Sequence, residues 1–117
     1  METIRIKRIY EKASPDDGYR ILVDRLWPRG ISKEVAQLDE WDKEIAPSAE
    51  LRKWFDHKAE RFNEFSLKYR LELKEKGNLT DALKQNAKNK TITLLYAAKD
   101  PEINQAIILK DVLLGKD

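Results

Sequence analysis

Three observations predict a small, single-domain α/β fold for this 117-residue chain, a mostly parallel sheet of about four strands flanked by helices. Short runs of strand length and composition, Thr3 to Ile9, Tyr19 to Asp24 and Thr91 to Ala98, are separated by turn-rich or helix-length segments. In two of them the apolar residues are consecutive, Ile21, Leu22, Val23 and Leu94, Leu95, Tyr96, the pattern of strands covered on both faces. Intervening segments with an apolar residue every three or four positions read as helices, and helical crossovers imply parallel neighbours.

Each element has its own signal. Thr3 to Ile9 puts Ile4 and Ile6 on one face and Arg5, Lys7 and Ile9 on the other, a period-two strand. Glu11 to Gly18 collects Ser14, Pro15, Asp16, Asp17 and Gly18, all turn formers. Tyr19 to Asp24 is the second strand and a central one. Ser32 caps a short helix through Lys33 to Leu38, with Glu34 near the positive end of its dipole. Asp39 to Ala46 fits either a helical face (Leu38, Trp41, Ile45) or a strand (Trp41, Lys43, Ile45), and a short strand ending before Pro47 is preferred.

Ser48 then caps a helix with Glu50 in its first turn and Leu51, Trp54 and Phe55 on its apolar side, interrupted at Asp56 and His57. Lys58 to Lys76 reads as the longest helix, with Ala59, Phe62, Phe65, Tyr69 and Leu73 inward and Gly77 ending it in the left-handed conformation. Asn78 caps a short helix, Leu79 to Ala87, that buries Ala82, Leu83 and Ala87. Thr91 to Ala98 is the clearest strand and also central. Asp100 caps the last helix, with Pro101 at its first position and Ile103, Ala106, Ile107, Leu113 and Leu114 inward, up to Gly115. No repeat, low-complexity tract or second domain interrupts residues 1–117.

Composition narrows the function classes. There is no cysteine, hence no disulfide, thiolate nucleophile or cysteine metal site, and a reducing, cytoplasmic location is the expectation. No apolar run approaches the ~20 residues of a membrane span, and the N-terminus shows no signal core, so neither membrane nor export is expected. The chain is 38% charged, but Lys and Arg outnumber Asp and Glu by only 23 to 21. Residues 48 to 78 hold eight basic and six acidic side chains, so no like-charge block marks a nucleic-acid tail.

The stretch Asp24, Arg25, Leu26, Trp27, Pro28, Arg29, Gly30 suits neither helix nor strand and reads as a shaped loop at the carboxyl end of a central strand. Ligands of open parallel sheets bind outside such ends, and the Ala97 to Pro101 turn occupies the equivalent place after the last strand. Arg25 and Arg29 offer planar cationic forks, Lys99 a point charge, Trp27 a stacking surface and Tyr96 a hydroxyl, a set suited to phosphate or carboxylate. Asp24 is the candidate general base, although one carboxylate supports neither that role nor a metal strongly. The alternative is a structural loop in which Asp24 pairs with Arg25 or Arg29.

The segments DGYRILVDRLWPRGISKE (17–34), EIAPSAELRKWFDH (44–57) and LLYAAKDPEINQAIIL (94–109) resemble the YeaO-like branch of the bacterial domain of unknown function family 488. The resemblance covers nearly the whole chain. It implies a compact cytosolic α/β domain and carries no assigned reaction. The longer branch of that family has a cysteine, a histidine and an arginine near the start of the last helix, where this chain has Asn104, Gln105 and Ala106. Thiol or imidazole chemistry therefore does not carry over. The leading expectation is a small-anion or nucleotide/phosphate-ligand-binding domain, with enzymatic activity and cofactor left open and no metal site. One competitor is a nucleic-acid-binding or regulatory module using Arg52, Lys53, Lys58 and Arg61 on outer helix faces. Another is a structural or interaction protein using the last helix or the acidic 39–44 stretch.

Overall fold

The computed structural model describes residues 3–116. Among these residues four strands, β1 (Ile4–Arg8), β2 (Tyr19–Leu22), β3 (Glu40–Trp41) and β4 (Ile92–Tyr96), form one sheet in the order β1-β4-β2-β3, parallel at every pairing. The helices are α1 (Lys33–Ala36), α2 (Ala49–Phe55), α3 (Phe62–Lys74), α4 (Gly77–Asn89) and α5 (Gln105–Leu113), with 3-10 turns at Pro15–Asp17 and Ala59–Arg61. The small α/β fold with a parallel four-stranded sheet is as the sequence predicts, and β2 and β4 are its central strands.

Period two divides the side chains between two cores. Ile4, Ile21, Val23, Ile92, Leu94 and Tyr96 pack beneath α2 to α5, against residues such as Phe55, Phe65, Tyr69 and Leu109. On the opposite face Ile9, Leu22 and Leu95 meet Ala36, Trp27, Ile31 and Trp41, so the segment after β2 is itself the cover of that face. Both faces of β2 and β4 are thereby dry, which is why their apolar residues run consecutively. Phe55 and Phe65 stack at 4.1 Å between centroids, and the buried Tyr69 hydroxyl donates to the Ile45 carbonyl at 2.7 Å.

Several boundaries differ from expectation for identifiable reasons. The third strand is two residues long, because after Trp41 the Asp42 carboxylate accepts the Ile45 amide at 3.1 Å and turns the chain. The Lys58 to Arg61 stretch is a separate 3-10 turn ahead of α3. Gly77 does not end α3 in a left-handed residue: α3 finishes at Lys74 with Glu75 as its C-cap at φ −75°, and Gly77 opens α4. Asn78 lies inside α4, which has no side-chain cap, and the inward residues are Thr80, Leu83 and Ala87, with Ala82 exposed. Asp100 is spent on a tight turn, its side chain accepting the Glu102 and Ile103 amides at 2.8 and 3.2 Å, and α5 starts only at Gln105 under Asn104, whose side-chain Oδ1 accepts the Ile107 amide. Ser32 and Ser48 cap α1 and α2 as read.

The amino-terminal edge of the sheet is fastened by a buried acid. Asp17 accepts from Lys7 at 3.1 Å, from Arg20 and from the Ser14 amide at 3.0 Å, while its carbonyl accepts the Thr93 hydroxyl at 2.6 Å. Arg20 reaches on to the Ala36 and Gln37 carbonyls at the end of α1. Burial pushes the Asp17 carboxyl up, but the Ser14 amide and the two cations outweigh it and hold it below the usual range. Gly18 follows at φ +64°, where a Cβ would lie 2.3 Å from the Thr91 carbonyl oxygen.

Two outcomes are expected. Gly18→Ala should cost about 2 kcal/mol in urea unfolding, since both the left-handed φ and the Thr91 contact oppose it. Asp17→Asn should cost about 3 kcal/mol at pH 7 by leaving the buried Arg20 and the half-buried Lys7 without their carboxylate. Because the folded pKa is depressed, that difference should be complete above about pH 4 and shrink as pH falls through the folded value; a pH-independent difference would contradict it.

Candidate functional site at the carboxyl edge

A cleft of about 860 Å³ opens at the carboxyl ends of the strands. Its walls come from the end of β1 (Arg8, Tyr10), the loop after β2, α2 with the turn that follows it, and the β4–α5 connection. The connection after β2 leads outward to β3, whereas α5 packs back over β1 and β4. Chains that leave adjacent strands in opposite directions open such a crevice between them.

Asp24 sets the geometry. One carboxylate oxygen accepts the Ala97 amide at 2.8 Å, the other accepts the Gln105 side-chain amide at 2.7 Å, and its carbonyl accepts the Trp41 indole N–H at 2.7 Å. Gln105 also donates to the Val23 carbonyl at 3.1 Å. Asp24 forms no ion pair with Arg25 or Arg29. Burial pushes its carboxyl above the ordinary range, against the Ala97 and Gln105 amides and the nearby His57 and Arg52 side chains. With both oxygens occupied by donors, it is a bridge between elements before it is a base.

The loop that follows is shaped by its expensive residues. Arg25 Nε donates to the Pro47 carbonyl at 3.0 Å and a terminal nitrogen to the Ala46 carbonyl at 3.3 Å. The Trp27 indole N–H closes the loop on the Ile31 carbonyl at 2.8 Å, with the ring edge-on to Trp41 at 5.3 Å. Pro28 is buried, Leu26 and Arg29 are exposed, and the Tyr10 hydroxyl donates to the Arg29 carbonyl. Asp24, Arg25, Trp27, Arg29 and Lys99 thus all border the cleft. Tyr96 does not: period two turns it into the main core, where burial and the Glu11 charge push its hydroxyl pKa up.

Other residues line the cleft that the sequence does not place there, Arg52 and Lys53 being expected on outer helix faces. Arg8 reaches the Ala98 carbonyl at 3.0 Å. Arg52 and Lys53 line the cleft, while Arg61 donates to the Trp54 carbonyl and lies over its ring, so the basic residues of this region do not share one outer face. Arg52 Nε is buried with no hydrogen-bond partner, the sole such side-chain atom among the described residues. The one available signal was its place next to the Leu51 and Phe55 stripe. Asp56 and His57, consecutive left-handed residues at φ 48° and 55°, form a strained turn on the same wall.

Six cations, Arg8, Arg25, Arg29, Arg52, Lys53 and Lys99, border the cleft against three carboxylates, Asp24, Asp56 and Asp100. Such a lining attracts an anion. Among the described residues no group of three or more metal-ligating side chains is assembled, and no helix is long and apolar enough to cross a membrane.

A family model described as the inactive DUF488-N3 subclade matches residues 3–116. The uncharacterized protein YeaO of Escherichia coli (strain K12) is 49% identical over 110 residues, 94% of this chain and 96% of the relative. The uncharacterized protein Rv3073c of Mycobacterium tuberculosis (strain ATCC 25618 / H37Rv) is 39% identical over 113 residues, 97% of this chain and 95% of the relative. No solved structure matches the chain.

Asp24→Asn tests the balance at the bridge. A raised folded pKa means that the titration of Asp24 favours folding below about pH 3.9 and that this contribution disappears as pH rises through the folded value. Between pH 4 and 7, urea unfolding should therefore show wild type losing ground to Asp24→Asn as pH rises; parallel curves would contradict the raised pKa.

Proposed function

The chain belongs to the DUF488-N3i family, the inactive DUF488-N3 subclade, and from that premise we propose that it is a binding domain whose carboxyl-edge cleft takes a small anion, a phosphate or nucleotide-like group included, without transforming it. The observation that carries this reading is Arg52. A buried N–H without an acceptor costs about 1 to 3 kcal/mol, and a guanidinium kept at that cost inside a cation-rich cleft is suited to an acceptor arriving from outside. An oxyanion of phosphate or carboxylate type matches its fork. The absence of cysteine and the place of Asn104 and Gln105, one capping α5 and the other holding Asp24, fit a site without a thiol nucleophile.

Arg52→Leu separates binding from folding. The variant should match or exceed the melting temperature of wild type without ligand, because the unpaired donor is gone. It should also lose the rise that phosphate or AMP produces in wild type. Arg29→Ala, at an exposed position, should weaken that rise with no change in the circular dichroism spectrum. A wild-type protein indifferent to both anions, or an Arg52→Leu variant that still responds fully, would refute the reading.

A further inference from the structure

Resting on that anion-binding reading, we infer that the ligand is an oxyanion head carried on an apolar body, an aryl or alkyl phosphomonoester or carboxylate, and neither an inorganic ion nor a polyanion. The cations are not equivalent. Arg8 and Arg25 already donate to the carbonyls of Ala98, Pro47 and Ala46, and Arg29 stands exposed on the lip. Arg52 is the one with an unpaired N–H inside, which provides for a single head. A second phosphate would meet the remaining cations, Lys53 and Lys99, in a lining that also holds the carboxylates of Asp56 and Asp100.

Beside these charges and the polar Asn104, Gln105 and His57, the wall has a continuous set of apolar side chains. Phe55 and Phe65 present a stacked pair, and Pro47, Ala97 and Ile103 continue the surface. At the mouth, Leu26 is 58% and Tyr10 41% exposed, two of the few large hydrophobic residues left in solvent, and both border this one opening. Scattered exposed apolar residues need no explanation; two flanking one crevice extend its apolar wall outward. A volume of about 860 Å³ is that of a site for a ligand with a substantial organic body. Apolar surface removed from water then adds to the affinity set by the head.

Isothermal titration of the full chain decides the question, with phenyl phosphate against inorganic phosphate, benzoate against acetate, and pyrophosphate as the polyanion. At least one aryl anion should bind tighter than its bare head by about tenfold or more. Arg52→Leu should lose it, and Leu26→Ser should weaken the aryl anion more than the bare head. Aryl and bare anions of equal affinity, all lost in Arg52→Leu, would overturn the apolar body and leave the anion site standing. Pyrophosphate binding tightest would overturn the single head. If none of the five binds, the anion-binding reading falls and this inference with it.

Discussion

Asp24 joins three elements that would otherwise separate at the end of the sheet. Its carboxylate takes an amide from the strand-to-helix turn after β4 and another from the first residue of α5, and its carbonyl takes the indole of β3. The strands stop pairing here, so these hydrogen bonds replace the ladder that has just run out. Val23, one residue earlier, still donates to Leu95 at 3.0 Å. The direction of the loop, the placement of Gln105 and the mouth of the cleft all depend on this junction.

The two ends of β2 use acids in opposite ways. At the amino end Asp17 is buried among Lys7 and Arg20, and pairing outweighs desolvation. At the carboxyl end Asp24 accepts hydrogen bonds from neutral amides only, and desolvation outweighs them together with the nearby Arg52 and His57 side chains. The cations of the second end form no ion pair with it. One edge spends its charge on rigidity, and the other keeps its arginines free of carboxylate partners. Unpaired charge at a cleft costs stability, and the loss is tolerable because two cores, on both faces of the sheet, carry the fold.

The central strands were legible because burial on both faces leaves a consecutive apolar run, and short β-branched stretches flanked by polar residues set Ile21 to Val23 and Ile92 to Tyr96 apart from the longer apolar helix α5. Ser32 and Ser48 were legible because a hydroxyl before a helix has one dominant use. The start of α5 was not, since Asp100 and Asn104 are both competent caps and Pro101 favours the wrong one. A two-residue β3 falls beneath any periodicity. In the cleft, the 24–30 loop declared itself by residue types that no regular element wants. Arg52 did not: a basic residue on a short helix looks solvated until packing of α2 turns it toward the strand ends. Tyr96 shows the reverse error, a strand-end residue whose parity places it in the core.

The brevity of β3 bears on assembly. An edge strand with free amides and carbonyls is a template for further strands, whether from another molecule or from a fibril. Here one edge presents only Glu40 and Trp41 before the chain turns, and the other, β1, carries Arg5 and Lys7 among five residues. Neither edge offers a long, uncharged ribbon. Association by sheet extension is therefore disfavoured at both margins, and the large apolar side chains left in solvent stand away from these edges, Leu67 and Leu71 on α3 among them.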